Sequence, residues 1–354
     1  MNKIVIIGNG FDLAHGLPTR YEDFMNYLKN SIAQKDTTNT YKRILGQGYY
    51  CGEDGRFIHR RTEDGQEDPW IGIAITDSND LQFKANPHPH AKPKSIYFKS
   101  LFQEHDSLGN WSDLEYHYFR LLNSYKHHIE SIITINKEFE HIKKLLNHYL
   151  KTEIEDKVGV EYKIDDNNSI FQKLGSETKE NKFDNYFFVT FNYTGKILLD
   201  YVLKLRSNFA PRKIPMNPIH IHGGLINSYN PMIFGYGDDN SNEYKELQNT
   251  KQNELLKNFK TFQYLRSKRY RQVLRLLEET DDIYVQIIGH SCDICDKALL
   301  RTIFQHPNVK QIEATYHESE ERYFENLYNI SRIFDDNTLM REKIIPLDDT
   351  FKIE

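Results

Sequence analysis

The chain contains 354 residues with a formal net charge of −5 at pH 7, and its pI is about 6.3. A chain without a bulk positive field does not attract nucleic acid along its whole surface, so any such contact needs a local basic patch. Its 23 Tyr and 21 Phe supply the apolar area that a sizeable core requires. The length fits an α/β core that carries insertions.

Three cysteines are too few for a disulfide framework, and they indicate a protein of a reducing compartment. Cys292 and Cys295 form a Cys-x-x-Cys pair, but no second ligand pair accompanies them, so we expect no metal site there. The apolar run Ile4–Ile7 is too short for a signal peptide, and no stretch resembles a membrane span. We therefore expect a cytoplasmic protein that makes no contact with a membrane.

The chain opens with a β-branched apolar run, which predicts a buried strand over Ile4–Ile7. The turn Gly8-Asn9-Gly10 follows directly, and the next segment can start a helix. This order places backbone amides at the end of the strand, where phosphates and nucleotides are commonly held. The same glycines could merely allow a tight turn, and the motif by itself leaves both interpretations open. Apolar spacing then predicts a helix over Tyr21–Leu28.

Residues 36–110 lack periodicity and predict a loop-rich insertion, with a short strand over Trp70–Ile75. Residues 110–155 predict a strongly helical tract, whereas the polar residues 156–184 are typical of a surface excursion. We expect a single α/β core domain over 1–354, with the insertion at about 36–110 and a helical subdomain at about 111–184 within it.

The start of the helical tract contains two acidic residues with more than one expected role. Ser112 and Glu115 have the Ser-x-x-Glu spacing of a capping box, which gives Glu115 a local role. Residues two apart on a helix point about 200° apart, so Asp113 and Glu115 cannot both face one site from within it. We expect the turn before the helix to direct Asp113 toward the sheet edge, while Glu115 caps or supports it.

Four later segments predict further strands of the same sheet: Phe187–Phe191, Pro218–Ile221, Ile283–Ile288 and Val309–Tyr316. The rest of this region predicts a short strand at Pro231–Phe234 and helices near 197–205, over 243–279, from about 293 and over 319–334. Strands that alternate with helices form right-handed crossovers in a mostly parallel sheet. The predicted fold class is therefore α/β with a Rossmann-like core that carries helical and loop insertions.

The predicted strands end in polar or glycine-rich turns, which are Gly8-Asn9-Gly10, Thr190–Thr194, His222-Gly223 and Gly289-His290-Ser291. The carboxyl ends of parallel strands meet at one edge, where doubly wound proteins bind ligands. We therefore expect Asn192, His222 and two glycine turns to share a site. Each residue considered alone also has an ordinary structural explanation: His222 could be a hydrogen-bonded histidine of a loop, and Asn192 could be a turn residue. The glycines after His222 predict an imidazole exposed at the strand end, whose replacement should barely affect folding.

Six motifs stand out along the chain: Gly8-Asn-Gly-Phe-Asp12 with His15-Gly-Leu-Pro-Thr19, Trp111-Ser-Asp-Leu-Glu115, Phe191-Asn-Tyr-Thr194, His220-Ile-His222-Gly, Phe234-Gly-Tyr-Gly-Asp238, and Gly289-His-Ser with Asp296. Together they closely resemble the AbiH family of bacteriophage abortive-infection proteins, from residue 1 to about residue 335. The resemblance implies a phage-defence effector. Its expected partners are a small-molecule nucleotide and a phage component or a companion defence protein, and a homo-oligomer stays open.

The core also resembles, more distantly, the sirtuin-type NAD-binding domains. Their Gly-Ala-Gly-x-Ser-x3-Gly-x-Pro loop is matched from Gly8 to Pro18, and their Thr-x-Asn-x-Asp turn is matched by Thr190–Thr194. Their catalytic His-Gly is matched by His222-Gly223, and a later Gly-x-Ser turn by Gly289 and Ser291. The resemblance implies NAD as the ligand, held by Gly8, Asn9, Gly10, Phe11, Gly16, Pro18, Thr190, Thr194, Gly223, Gly289, His290 and Ser291.

The chain departs from the sirtuin pattern at two side chains. Asp12 stands where the loop has a serine, and Thr194 stands where the turn has an aspartate. A carboxylate beside a pyrophosphate is repulsive unless a cation or a hydroxyl group intervenes. The glycine spacing also does not meet the ordinary dinucleotide fingerprint Gly-x-Gly-x-x-Gly.

The implied activity is hydrolysis of the glycosidic bond of a nucleotide such as NAD. Cleavage passes through an oxocarbenium-like centre, and the leaving group is already cationic, so no acid is required. A base that activates a ribose hydroxyl or a water molecule helps. The resemblance implies His222 as that base, and Asn192 could position the attacking water. Asp12, Asp113 and Glu115 could hold sugar hydroxyls or stabilise the developing positive charge.

Two other classes of function stay open at this point. A metal-dependent nuclease or phosphoesterase could use Asp12, Asp113, Glu115, Asp238 and His222, although no compact metal-ligand spacing accompanies them. A non-enzymatic sensor could bind the nucleotide and signal through the insertion. Turnover distinguishes an enzyme from the sensor, and the reaction products distinguish the two enzymes.

Overall fold

The computed structural model describes residues 1–33, 108–180, 182–208, 214–225 and 229–353, together with the short stretches 49–51, 57–59, 73–75, 81–83, 96–97 and 100–101. The chain divides into two compact units. The first unit comprises Met1–Thr19, Leu150–Ser241 and Phe259–Glu354, and the second comprises Arg20–Tyr149 and Asn242–Asn258. None of the helices in the described part of the chain has both the length and the apolar composition needed to cross a bilayer.

In chain order the strands and α-helices are β1 (Asn2–Ile7), α1 (Asn9–Ala14), α2 (Tyr21–Ala33), β2 (Tyr49–Cys51), β3 (Phe57–His59), β4 (Ile73–Ile75), β5 (Leu81–Phe83), α3 (Trp111–Ser124), α4 (Ile129–Tyr149), α5 (Ser169–Lys179), β6 (Tyr186–Thr190), α6 (Lys196–Asn208), β7 (Ile219–His220), α7 (Asn242–Asn249), α8 (Lys260–Gln263), α9 (Arg269–Glu278), β8 (Ile283–Ile288), α10 (Lys297–Phe304), β9 (Val309–Ala314), β10 (Tyr316–His317), α11 (Glu320–Ser331), α12 (Asn337–Lys343) and β11 (Lys352–Ile353). A π-helical turn covers Leu150–Glu155.

Five parallel strands form the sheet of the first unit, in the order β7-β6-β1-β8-β9. The strand β1 lies in the middle, where Ile4 pairs with Phe187 of β6 and Val285 of β8. The four side chains of Ile4–Ile7 are at most 1% exposed, as expected for a strand with both faces covered. The predicted α/β fold with a parallel sheet is confirmed.

The strand predictions need two corrections. The predicted strand Val309–Tyr316 is interrupted, because β9 ends at Ala314 and Tyr316 starts the separate strand β10. The segment Pro231–Phe234 forms no strand. The Ile233 amide donates a hydrogen bond of 2.7 Å to the His222 carbonyl, but this contact does not extend into a ladder.

The tract 243–279 is not the single helix that its composition predicts. It contains most of α7 together with α8 and α9, and 3₁₀ turns cover Asn253–Leu256 and Tyr264–Arg266. Lys251 adopts the left-handed backbone conformation with a φ of 61°, which an α-helix cannot contain. The chain therefore changes direction soon after α7.

The polar stretch 156–184 contains the helix α5, so the predicted surface excursion is wrong there. Asn168 caps this helix by accepting a hydrogen bond of 3.1 Å from the Ile170 amide. Glu177 forms an ion pair with Lys3 of β1, and both side chains are almost wholly buried. The helix is therefore anchored to the central strand of the sheet.

The second unit contains α3 and α4, joined by a buried aromatic contact. The Tyr118 and Phe139 rings stack with their centroids 3.8 Å apart. The strands β2 and β3 pair antiparallel, and so do β4 and β5.

Several predictions fall at the limits of the described residues. The strand β4 confirms the end of the predicted strand Trp70–Ile75, whose first residues lie outside the described part. Most of the predicted insertion 36–110 also lies outside it. Of the predicted helical subdomain, residues 111–149 belong to the second unit and residues 150–184 to the first.

Candidate active site at the carboxyl edge of the sheet

The helix α1 begins at Asn9, one residue after Gly8, so the predicted turn after β1 is the start of this helix. It touches the turn after β8 at the carboxyl edge of the sheet. The Gly10 amide donates a hydrogen bond to the Gly289 carbonyl (2.7 Å), and the Gly8 amide donates one to a carbonyl of β8 (3.0 Å). A methyl group on Gly10 would come within 2.7 Å of the Gly289 Cα. One on Gly8 would come within 2.5 Å of the His290 Cα. Glycine is therefore needed for the two turns to approach, and this packing accounts for both glycines.

Asn192 ties the turn after β6 to the turn after β1. Its side-chain amide donates a hydrogen bond to the Gly8 carbonyl (3.0 Å), and its backbone amide donates one to the Thr190 hydroxyl (3.0 Å). The Thr194 hydroxyl donates to the Asp12 carboxylate. The two residues that depart from the sirtuin pattern therefore bind each other. A carboxylate in this loop repels a pyrophosphate unless a cation or a hydroxyl group intervenes, and Thr194 supplies a hydroxyl group.

Asp12 is buried, with 4% of its surface exposed. Burial raises the pKa of Asp12 to about 7, against hydrogen bonds from Thr194 and Asn192 that lower it. The carboxyl group is therefore only partly ionised at neutral pH. This weakens its repulsion toward an anionic ligand.

His222 follows β7 and lies in a buried cluster of charged and polar side chains. Its Nε2 atom is 2.9 Å from Oδ1 of Asp296 and 3.2 Å from the Tyr264 hydroxyl. The Lys260 ammonium donates to the same Asp296 oxygen at 2.8 Å. The Nε2 atom of His290 lies 3.5 Å from the other oxygen. One carboxylate therefore contacts a lysine and two histidines.

The cluster keeps His222 neutral at physiological pH. Burial lowers the pKa of His222 to about 4, and the attraction of Asp296 offsets this only in part. Burial alone would raise the pKa of Asp296, but the charge of Lys260 and the hydrogen bonds from His222 and His290 outweigh it and hold that pKa well below its usual value. A neutral imidazole that donates its Nε2 hydrogen to Asp296 keeps a lone pair on Nδ1. That nitrogen can accept a proton.

The side chain of His222 is 6% exposed, which corrects the expectation of an exposed ring. The Phe191 ring covers it, with centroids 5.0 Å apart, and it also covers His290 at 4.3 Å. This apolar cover explains the burial. Replacing His222 should therefore affect folding as well as chemistry, contrary to the expectation from the sequence.

Several residues predicted to hold a cofactor lie in α1 or in the loop that follows it. Phe11 is buried, and the side-chain amide of Asn9 donates a hydrogen bond to the Thr19 carbonyl (3.0 Å). Gly16 adopts a φ of 76°, which favours glycine, and Pro18 is half-buried. Their roles in binding a nucleotide stay predictions.

Two more predicted residues follow β7 and β8. Gly223 has a φ of 78°, and a methyl group on it would meet the Pro231 carbonyl oxygen at 2.1 Å. The Ser291 carbonyl accepts a hydrogen bond of 2.9 Å from the Asn329 side chain. Both contacts hold loops of the first unit together, and a binding role for either residue also stays a prediction.

Asp113 and Glu115 belong to the second unit, where both lie on α3. The contacts at the start of this helix differ from the predicted ones. The Asn110 side chain accepts a hydrogen bond of 3.0 Å from the Asp113 amide. The Asp113 carboxylate accepts bonds of 2.8 and 3.0 Å from the amides of Gly109 and Asn110. The capping box therefore joins Asn110 to Asp113, because the helix begins earlier than predicted. Asp113 caps its own helix, and Glu115 is buried on α3.

Three residues of the histidine cluster were missed as site residues. Asp296 stood in the last family motif, seven residues after Gly289, and this position was the available signal. Lys260 and Tyr264 lie in the tract that composition predicts as one solvated helix, so no local pattern singled them out. They reach His222 only because that tract is broken.

Within the described residues, no group of three or more His, Cys, Asp and Glu side chains is arranged to hold a metal ion. Asp238, one member of the metal-dependent alternative, lies 3.4 Å from the Lys297 ammonium and accepts a hydrogen bond of 3.1 Å from the Asn240 amide. No observation on this part of the chain therefore favours a metal-dependent nuclease or phosphoesterase.

Comparison with known proteins identifies the family of the chain. Searches of curated proteins and of solved structures find no match, so no structural match supports the sirtuin resemblance. Residues 4–318 match the family described as bacteriophage abortive infection AbiH. Because this segment spans nearly the whole chain and contains all six motifs, the chain belongs to the AbiH family of bacteriophage abortive infection proteins.

Proposed function

We propose that this protein acts in abortive infection as a hydrolase that cleaves the N-glycosidic bond of a nucleotide, with NAD the first substrate to test. The supporting observation is the buried pair of His222 and Asp296, whose nearest nitrogen and oxygen are 2.9 Å apart. The pair lies beside the carboxyl edge of a parallel sheet, where doubly wound proteins bind ligands. Family membership supports the role in phage defence.

His222 acts as the general base in this proposal. A water oxygen bonds to the anomeric carbon of the ribose while the carbon–nitrogen bond breaks. The electrons of that bond leave with the ring nitrogen of nicotinamide. His222 accepts the water proton on Nδ1, and Asp296 orients the ring through Nε2 and stabilises the imidazolium. A weakly basic imidazole suffices, because water becomes strongly acidic as it bonds to the oxocarbenium-like carbon.

Asn192 and Asp12 have supporting roles. The Asn192 side-chain amide holds the Gly8 carbonyl, so we assign Asn192 to positioning the turns. The partly ionised Asp12 and the hydroxyl of Thr194 offer an acceptor and a donor for sugar hydroxyls. The amides of Gly8 and Gly10 are engaged within the protein, so they do not support binding of a pyrophosphate.

The test incubates the purified protein with NAD, ATP, single-stranded and double-stranded nucleic acid, each with and without magnesium. We expect nicotinamide and ADP-ribose from NAD without added metal. His222→Gln, which keeps a polar side chain in the buried cluster, should lower turnover about 10²- to 10⁴-fold. The exposed His317→Ala is the matched control and should keep full activity. Thermal midpoints show whether each variant is folded.

Each outcome has a defined meaning. Full activity of a folded His222→Gln protein overturns the assignment of His222 as the base. Nucleotide binding without turnover supports the sensor and contradicts the hydrolase. Cleavage of nucleic acid that requires magnesium supports the metal-dependent alternative instead.

A further inference from the structure

A cleft of about 650 Å³ opens on the first unit beside the histidine cluster. The helix α10 contributes Ala298 and Thr302 to its lining, and the segment before and into α9 contributes Tyr264 and Tyr270. Clefts of roughly 300–1,000 Å³ are typical of small-molecule sites. The cleft shares Tyr264 with the cluster around His222.

The half-buried Tyr270, stacked on the buried Tyr264, gives the cleft an aromatic face. The centroids of Tyr264 and Tyr270 are 5.5 Å apart, and the planes differ by 16°. Tyr270 is half-buried, so part of its ring faces solvent. The face of Tyr270 that Tyr264 does not cover can bind a planar ring by stacking, as aromatic side chains of single-stranded nucleic-acid proteins do with bases.

Hydrogen-bonding groups also line the cleft. The Thr261 hydroxyl donates to the Asp239 carboxylate at 3.3 Å. Arg301 and Gln305 both donate to Asp335, at 2.9 and 3.3 Å. A carboxylate accepts several hydrogen bonds and a guanidinium has five N–H donors, so Asp239, Asp335 and Arg301 keep acceptors and donors for a ligand. A planar ring with donors and acceptors on its edges, such as a nucleobase, matches this lining.

The charge of the lining disfavours a phosphate group. Arg301 is bound to Asp335, and Asp239 adds a second carboxylate. Burial lowers the pKa of His306, so this residue is neutral at pH 7 and adds no positive charge. Carboxylates therefore outnumber cations in the cleft, and a neutral ligand is favoured over an anionic one.

We propose that this cleft binds a neutral nucleoside, with its base against the ring of Tyr270. This proposal does not rest on the proposed reaction, because nucleoside binding can be measured without turnover. The same nucleobase also occurs in nucleotides and in nucleic acids. The carboxylates of the lining disfavour the phosphate groups of both, so we expect the cleft to bind the free nucleoside.

The cleft has a direct contact with the proposed active site. Tyr193, His222, Tyr264 and Tyr270 form a column of nearly parallel rings, with successive centroids 6.1, 6.2 and 5.5 Å apart. A ligand that shifts Tyr264 therefore changes the surroundings of His222. Binding should be visible in the NMR signals of the His222 imidazole.

The test titrates the full chain by calorimetry with adenosine, guanosine, cytidine and uridine, with their 5′-monophosphates, and with a short single-stranded oligonucleotide. We expect at least one nucleoside to bind, its monophosphate to bind more weakly, and the His222 signals to shift on binding. Tyr270→Ala should weaken binding roughly 5- to 150-fold, the range for loss of one base–aromatic stack. Tyr270→Leu keeps the apolar bulk and should weaken binding too, should the alanine variant unfold.

The exposed Tyr328→Ala of α11 is the matched control and should bind as the unmodified chain does. Binding that survives both Tyr270 substitutions overturns the assignment of the cleft. So does a monophosphate or oligonucleotide that binds more tightly than its nucleoside, or the absence of any nucleoside binding at millimolar concentration. None of these results depends on whether NAD is cleaved.

Discussion

The carboxylate of Asp296 contacts both the proposed base, His222, and the ammonium group of Lys260. Lys260 and His222 contact the same Asp296 oxygen, at 2.8 and 2.9 Å. The carboxylate favours a charged imidazole, whereas the nearby ammonium disfavours it. The pKa of His222 is therefore set by two opposing neighbours as well as by burial.

Replacing Lys260 should raise the pKa of His222. Lys260→Met removes a positive charge that opposes protonation of the imidazole, while Asp296 still favours it. The measurement is an NMR titration of the His222 ring in both proteins, with the exposed Lys310→Met as the control. A pKa that stays the same or falls contradicts this description of the cluster.

Asp12 should make the protein less stable as the pH rises toward neutrality. In the unfolded chain an aspartate has a pKa of about 3.9, whereas burial raises the pKa of Asp12 to about 7 in the folded protein. Between these values the folded state keeps a proton that the unfolded state has lost. The free energy of unfolding therefore falls in this window, by at most about 1.4 kcal/mol per pH unit.

Asp12→Asn removes this dependence. We expect the free energy of unfolding of the variant, minus that of the unmodified chain, to be larger at pH 8 than at pH 5. Urea unfolding of both proteins at both pH values measures it. The exposed Asp281→Asn should show no such change. Equal pH dependence of the Asp12 variant and the unmodified chain would show that Asp12 titrates normally.

At the residue scale, strand ends were easier to predict than the contacts between them. His222 and Asn192 could be placed at the sheet edge, because parallel strands bring their ends together. The burial of His222 could not be predicted, because Phe191 and the broken tract around Lys260 cover it through tertiary packing. The partnership of Asp12 with Thr194 joins residues 182 positions apart, and no local pattern records it.

At the element scale, the turns after β1 and β8 are held together by close contact between their backbones. Gly10→Ala should be strongly destabilising, because its methyl group would lie 2.7 Å from the Gly289 Cα and the backbone must move. Overpacking of this kind typically costs about 1–3 kcal/mol. Gly224→Ala is the matched control, since a methyl group there meets nothing within 4 Å.

Urea unfolding of both glycine variants measures the difference. The control should stay within about 0.5 kcal/mol of the unmodified chain. Equal stability of the Gly10 and Gly224 variants would refute the required contact between the turns.

The elements themselves were predictable where burial leaves a simple pattern. The central strands are covered on both faces, so they read as continuous apolar runs. The tract 243–279 contains neither Gly nor Pro, so the sequence offered no helix breaker at Lys251. The helix α5 was missed because it lies in a stretch rich in polar residues, and one of its buried contacts is an ion pair, Glu177 with Lys3.

For the whole molecule, the proposed chemistry predicts a phenotype in infected cells. Cells that produce the unmodified chain should resist a phage that this system recognises, and His222→Gln should abolish protection at an equal protein level. His317→Ala should protect as the unmodified chain does. Protection by the His222 variant would contradict the proposed reaction. It would not affect the assignment of the chain to the abortive-infection family.

The position of β1 has a consequence for how the protein is made in the cell. This strand is synthesised first, yet its two neighbours in the sheet are β6 and β8, which begin at Tyr186 and Ile283. At ribosomal rates of about 5–20 residues per second, the first neighbour emerges roughly ten to forty seconds later. Until then the apolar run Ile4–Ile7 has no partner strand, and such segments aggregate readily. The nascent chain should therefore depend on chaperones that bind its first residues during translation.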